Sequence, residues 1–285
     1  MRLIAGINMK TVETIDELRS LIKNSPRPIG FVPTMGYLHK GHAQLIKKAR
    51  LMCKTVVVSI FVNPTQFAPD EDFSSYPRDF EHDRSVCLEN GADLIFYPSD
   101  KEVYPEDFLT TVKVKKLTEV LEGKSRPTHF EGVTTIVAKL FMMVMPDFAF
   151  FGKKDAQQLI VIKKMVSDLN MPVSIVPVEI VREPDGLAYS SRNVYLDKKQ
   201  REEATLLYKG LMRAKKAFES GEKDCDSLKK LIREEIAKAE GAKIDYISFN
   251  RIDNLNELDR IEKGNTLLSL AVFFGKTRLI DNIWL

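Results

Sequence analysis

Short, almost wholly apolar runs alternate along the first two thirds of the chain with stretches whose apolar residues recur at helical spacing. "PIGFVPT" (28–34) is bounded by proline and ends at a glycine turn, and "HAQLIKKARLMCK" (42–54) sets Leu45, Ile46, Ala49 and Met52 on one helical face. "TVVVSIFV" (55–62) is β-branched on both parities, the pattern of a strand covered on both faces of a parallel sheet. "ADLIFYPS" (92–99), "DFAFFG" (147–152) and "VSIVPVEI" (173–180) read the same way, with a helix over "AQQLIVIKKMVSDLN" (156–170) between the last two. Apolar strands alternating with amphipathic helices predict a doubly wound α/β domain with a parallel sheet over 1–180.

The texture then changes. "DKKQREEATLLYKGLMRAKKAFESG" (197–221) and "DSLKKLIREEIAKAEG" (226–241) read as charged, amphipathic helices ending at glycine. They are followed by strand-like "IDYISFNRI", "NTLLSLAVFF" and "TRLIDNIWL", which predict a smaller C-terminal α+β domain over 181–285. There is no internal repeat and no low-complexity segment.

At 285 residues the chain has room for one large domain or two, each with a hydrophobic core. Its 43 Lys and Arg against 40 Asp and Glu leave a net charge of +3, too even to argue for nucleic acid or a membrane surface. Cys53, Cys87 and Cys225 lie far apart, without disulfide-framework or zinc-ligand spacing, which fits a reducing cytoplasm. The first twenty residues lack the long apolar stretch of a leader, and no apolar run reaches the roughly 18 residues a membrane span needs, so an unprocessed soluble chain is expected.

With a strand at 28–34, Met35 to Gly41 form the loop at its carboxyl end and His42 opens the next helix. Open α/β sheets place ligands there, and helix amino-termini offer amides and a positive dipole end to phosphate. Gly36 and Gly41 permit close backbone approach, and His39 and His42 direct donors at a phosphate and at charge developing on it. The alternatives are a metal-binding HxxH pair, for which no third ligand stands at recognisable spacing, and purely structural histidines.

Four more clusters carry polar chemistry beside apolar runs. Asn63 and Gln66 follow a buried strand with amides able to donate and accept at once, although "NPT" is also an ordinary Asx–Pro turn. The polar, turn-rich "APDEDFSSYPRDFEHD" (68–83) reads as a mobile flap. In "FFGKKDAQQL", Lys154 suits a phosphate and Asp155 suits a helix cap or a magnesium ion on a nucleotide, while a plain capped helix start explains both as well. "REPDGLAYSSRN" presents Ser190, Ser191 and Arg192, a triphosphate grip because guanidinium pairs bidentately with phosphate oxygens. "RPTHFEGVTTIVAKLF" adds Arg126 and His129 in front of a helix.

"PTMGYLHKGH", "SIFVNPTQF", "YPR", "RPTHFEGV", "FFGKKDAQQL" and "REPDGLAYSSRN", in this order, resemble the pantoate–β-alanine ligase family. This family belongs to the nucleotidyltransferases with a HIGH-type signature, and the likeness runs from about residue 27 to residue 196. It implies a Rossmann-like nucleotidyltransferase domain, with the C-terminal domain as a lid, and formation of pantothenate from (R)-pantoate, β-alanine and ATP through a pantoyl adenylate. It also implies ATP with Mg2+ as substrate, no protein cage for the metal, and a cytoplasmic homodimer.

Carried over by position, His42, His39, Lys154 and Arg192 are the catalytic residues. Met35, Gly36, Tyr37, Leu38, His39, Lys40, Gly41 and His42 line ATP, with Gly152, Lys153, Lys154, Asp155, Val181, Tyr189, Ser190, Ser191 and Arg192. Gln66 falls on a position for pantoate and β-alanine and Gln158 on one for pantoate, with Asn63, Arg126 and His129 nearer the acyl substrates. The chain departs from the family pattern at Tyr37, Thr128, Lys153, Ala156 and Tyr189. A different adenylyltransferase and a nucleotide-binding protein without chemistry are the competing readings.

Overall fold

A computed structural model describes residues 9–69 and 71–285. The reading of the first residues as leaderless therefore falls in part on residues 1–8, and that of the polar segment in part on Asp70, outside the described residues. Two compact units divide the chain: the described residues up to Lys153 with Val161–Glu179, and Lys154–Ile160 with Ile180–Leu285.

The first unit is built on β1 (Lys10–Val12), α1 (Ile15–Lys23), β2 (Ile29–Thr34), α2 (Lys40–Met52), β3 (Thr55–Ile60), α3 (Phe80–Asn90) and β4 (Leu94–Phe96). Then come the short α4 (Asp100–Val103) and α5 (Glu122–Ser125), followed by α6 (His129–Val144), β5 (Phe148–Gly152), α7 (Ala156–Asp168), whose start belongs to the second unit, and β6 (Ser174–Val178). All six strands are parallel, in the order β1-β4-β3-β2-β5-β6. Side chains alternate between the faces of each strand, so Val32 and Val58 pack with Ile46 of α2. Phe31, one residue on, turns the other way and meets Phe141 of α6 edge-to-face at 6.3 Å. Helices therefore cover both faces, and central β3 is buried at all six positions.

Chain direction reverses its progress across the sheet at β2, with β3 on one side and β5 on the other. That is the topological switch point, where loops leaving the carboxyl ends of neighbouring strands diverge and leave a crevice. The loop after Thr34 and the residues after Gly152 leave the sheet there.

The polar segment at 68–83 is rich in turns over its first half, with a run of turn at 72–75, and ends in helix: Asp79 caps α3 by accepting the His82 amide at 3.0 Å, and residues from Phe80 onward are helical. Upstream, the Arg78 guanidinium donates to the Tyr76 and Phe73 carbonyls, and Phe73 and Tyr76 pack against Phe67. In addition, α2 begins at Lys40 rather than His42, with His39 as its cap.

The second unit carries α8 (Lys198–Glu203), α9 (Leu206–Glu219) and α10 (Cys225–Ile236) against the antiparallel sheet of β7 (Ala242–Arg251), β8 (Thr266–Phe274) and β9 (Thr277–Trp284). Leu207, Leu211, Ile232, Phe249, Leu268 and Phe274 form its core. The stretch 197–221 holds two helices, broken where the Thr205 hydroxyl turns back to the Glu202 carbonyl at 2.8 Å. Among the described residues no helix is long and apolar enough to cross a membrane.

Candidate active site

The loop after β2 is held in a conformation that its residues would not choose alone. Gly36 has φ +80° and Tyr37, a non-glycine residue, φ +50°. Asp83 of α3 explains why it persists: 1% exposed, it accepts the Tyr37 amide at 2.8 Å and the Leu38 amide at 2.6 Å. Burial raises the Asp83 pKa more than these two amides lower it. The neighbouring His82 donates through Nε2 to the Leu38 carbonyl at 2.8 Å. A side chain on residue 36 would come within 2.9 Å of the Asp83 carboxylate, so glycine is required there on two counts.

At the start of α2 the two histidines cap one another. His39 Nδ1 accepts the Gly41 amide at 3.1 Å, His42 Nδ1 accepts the His39 amide at 3.3 Å, and the rings stack with centroids 4.1 Å apart. A neutral imidazole that accepts at Nδ1 carries its proton on Nε2. Both rings thus present N–H donors beside the amino-terminal amides of α2, which include those of Lys40 and Gly41.

After β3, a 3-10 turn over Pro64–Gln66 carries the amides. Asn63 is 1% exposed and Gln66 8% exposed, and Asn63 Nδ2 donates to Gln66 Oε1 at 3.2 Å. Gln66 Nε2 donates to the Met35 sulfur at 2.8 Å, which ties this turn to the loop after β2. The amino-terminal end of α6 clamps the turn from below. His129 Nδ1 donates to the Gln66 carbonyl at 2.9 Å, and Arg126 Nη2 reaches the same oxygen at 3.3 Å. Arg126 is also paired with Glu71 through both carboxylate oxygens, at 2.5 and 2.6 Å. Arg126 and His129 are therefore engaged with Gln66 and Glu71, and His129 is the first residue of α6 rather than one in front of it. Thr128, where the family pattern differs, is the cap position and makes no side-chain capping bond.

This cluster sets a pH dependence. Burial, and then the Arg126 charge, push the His129 imidazole down to about 4 from an ordinary 6.5. The unfolded chain then binds more protons than the folded one, so stability is full above about 6.5 and falls as pH drops toward 4. Burial raises the Glu71 pKa, but the hydrogen bond and charge of Arg126 outweigh it and hold that carboxyl below its ordinary 4.5, so its loss comes at lower pH. His129→Asn, which keeps a donor for the Gln66 carbonyl, should flatten the decline of melting temperature between pH 6.5 and 4.5. An unchanged slope in that window would count against the buried neutral ring.

Lys153 ends the first unit, ion-paired with Glu179. In the second unit Lys154 lies 3.4 Å from the Asp155 carboxylate, and its carbonyl accepts from Asn282 of β9 at 2.8 Å. The pair Ala156 and Gln157 is buried, and Gln158 is half-buried in the first turn of α7. A tight turn at Gly186 brings the Tyr189 amide to the Val181 carbonyl at 3.1 Å. Arg182 beside it is held by Asp281, itself buried, at 2.6 and 2.9 Å. Ser190 Oγ accepts the Arg192 amide at 3.3 Å and caps the 3-10 turn Ser191–Tyr195. Among the described residues, no three His, Cys, Asp or Glu side chains group so as to hold a metal ion.

Sequence reading missed Asp83, Asn282 and Tyr104, which hold the loops rather than line them. Only the position of Asp83, five residues after "YPR", offered a signal.

A parallel sheet whose switch-point loop runs into a His-x-Gly-His helix start defines an α/β nucleotidyltransferase. The model of the pantoate–β-alanine ligase family matches residues 10–284, and the chain belongs to that family. It is 54% identical over 278 residues to a pantothenate synthetase of Caldicellulosiruptor bescii, covering 96% of this chain and 98% of the relative. The crystal structure of pantothenate synthetase from Thermus thermophilus superposes with a TM-score of 0.93 at 44% identity, over 97% of this chain and 99% of that one. A pantoate–β-alanine ligase from Francisella tularensis, solved with β-γ ATP and β-alanine, gives 0.81 at 36% identity over 97% of each chain.

Proposed function

We propose that this chain condenses (R)-pantoate with β-alanine to pantothenate, with ATP converted to AMP and pyrophosphate. A pantoate carboxylate oxygen attacks the α-phosphorus and pyrophosphate leaves. The β-alanine amine then attacks the acyl carbon of the pantoyl adenylate, AMP leaves, and the amine's proton passes to solvent. Neither step needs a covalent nucleophile from the protein, and both need charge neutralised in a fixed place.

The capped histidine pair carries this reading, because His39 Nδ1 accepts the Gly41 amide and His42 Nδ1 the His39 amide, which aims two Nε2–H groups from one helix start. His42 and His39 donate to the phosphates, and Lys154, Arg192, Ser190 and Ser191 neutralise and bind the triphosphate. Gln66 and Gln158 take pantoate, with Asn63, Arg126 and His129 supporting the Gln66 turn. Magnesium enters with the nucleotide as part of the substrate. The reading takes the enzyme to be a cytoplasmic homodimer, in keeping with three buried free cysteines.

The test is release of pyrophosphate and AMP from MgATP, with pantoate and β-alanine each left out in turn. Pyrophosphate that requires pantoate, and sustained AMP turnover only with β-alanine, are expected. ATP bound without pyrophosphate release would overturn the reaction.

A further inference from the structure

The Gln66 amide has two faces, and which one it offers a substrate depends on residues that touch no substrate. Asn63 has two N–H donors and two acceptor lone pairs, and all four are taken by protein groups. Its Nδ2 donates to Gln66 Oε1 and to the Gly132 carbonyl, each at 3.2 Å. Its Oδ1 accepts from the Tyr104 hydroxyl at 2.9 Å and from the Thr65 hydroxyl at 3.0 Å. The Gly132 carbonyl can only accept, so Asn63 cannot turn its oxygen that way. Gln66 must then show Oε1 to Asn63 and aim Nε2 at Met35 and the nucleotide loop.

Tyr104 is the far end of this chain of bonds. Its ring is fixed between Phe61 and Phe108, at centroid distances of 6.2 and 5.1 Å, and burial raises its pKa, so the hydroxyl keeps its proton. We infer that Tyr104 is a positioning residue for the acyl substrate: through Asn63 it fixes Gln66 as a donor toward pantoate. Asn63, saturated and buried, acts through Gln66 rather than on substrate. This assignment rests on the ligase reading above.

Tyr104→Phe keeps the ring and removes the hydroxyl. Loss of one buried hydrogen bond from an oriented amide should raise KM for pantoate about fivefold, with KM for ATP changed less than about twofold. A merely structural role would lower the active fraction and leave both KM values alone. Thr65→Val removes the second donor to the same oxygen from an exposed position. It should give a selective rise of about threefold, and it carries the test if Tyr104→Phe does not fold. A pantoate KM within twofold of wild type in the folded variant, or equal shifts for pantoate and ATP, would overturn the relay. Wild-type enzyme indifferent to pantoate would instead overturn the ligase reading, and this role with it.

Discussion

His42→Ala is expected to lower turnover on the order of 10²-fold or more, the loss typical when one preorganised donor to developing charge is removed. The cost to the fold is small by comparison. His42 Nδ1 accepts the His39 amide at the start of α2, and losing such a cap costs about 1 kcal/mol, or roughly 2–4 °C in melting temperature for a chain of this size. The two roles are separable because they use different ring nitrogens. Asparagine can place an oxygen near the Nδ1 position but cannot reach as far as Nε2. His42→Asn should therefore recover the melting temperature while turnover stays low. Steady-state rates and thermal melts of the two variants decide the matter, and near-normal turnover in His42→Ala would remove His42 from the chemistry.

Gly132→Ala should be nearly as damaging, although residue 132 carries no functional group. A Cβ there would sit 2.4 Å from the Thr65 carbonyl oxygen and 2.6 Å from the Gln66 nitrogen. These are backbone atoms and cannot rotate aside. Restoring ordinary contact means parting α6 from the Gln66 turn by about 1 Å, and overpacking of this kind costs about 1–3 kcal/mol. The displacement falls on the turn that carries Gln66, and a shift of about 1 Å in a substrate-holding group can cost about 10²-fold in rate. The expected result is a folded enzyme with lowered stability and kcat/KM for pantoate down by about that factor. A variant with wild-type kcat/KM would show that the turn can retreat without moving the amide.

Burial pattern explains why parts of this molecule are legible in the chain. β3 is buried at all six positions, and its β-branched run on both parities says so without reference to anything else. The strand, loop and helix around His39 and His42 follow from local periodicity and glycine placement, which lets the motif fall at a carboxyl-end loop. Helix α3, by contrast, has little apolar periodicity, and its limits come from the Asp79 cap and the left-handed Gly91. Helix α1, in turn, is marked both by the Thr14 and Glu17 capping box and by Ile15, Leu18 and Ile22, which recur at helical spacing and bury Leu18 and Ile22.

What the sequence by itself determined is therefore the alternation of elements, the change of texture after about residue 180, the family, and which side chains are candidates for ATP and an acyl acid. Tertiary structure alone decided how those side chains are aimed. Asp83 reaches back 46 residues to Tyr37, Tyr104 reaches 41 to Asn63, and the Gly132 carbonyl receives Asn63 across 69. Periodicity reports only whether a position faces core or water within a few turns of chain. A hydrogen-bond partner dozens of residues away is selected by strand order and helix packing, so the polar residues around Gln66 acquired their partners only once the sheet had brought β3, α4 and α6 together.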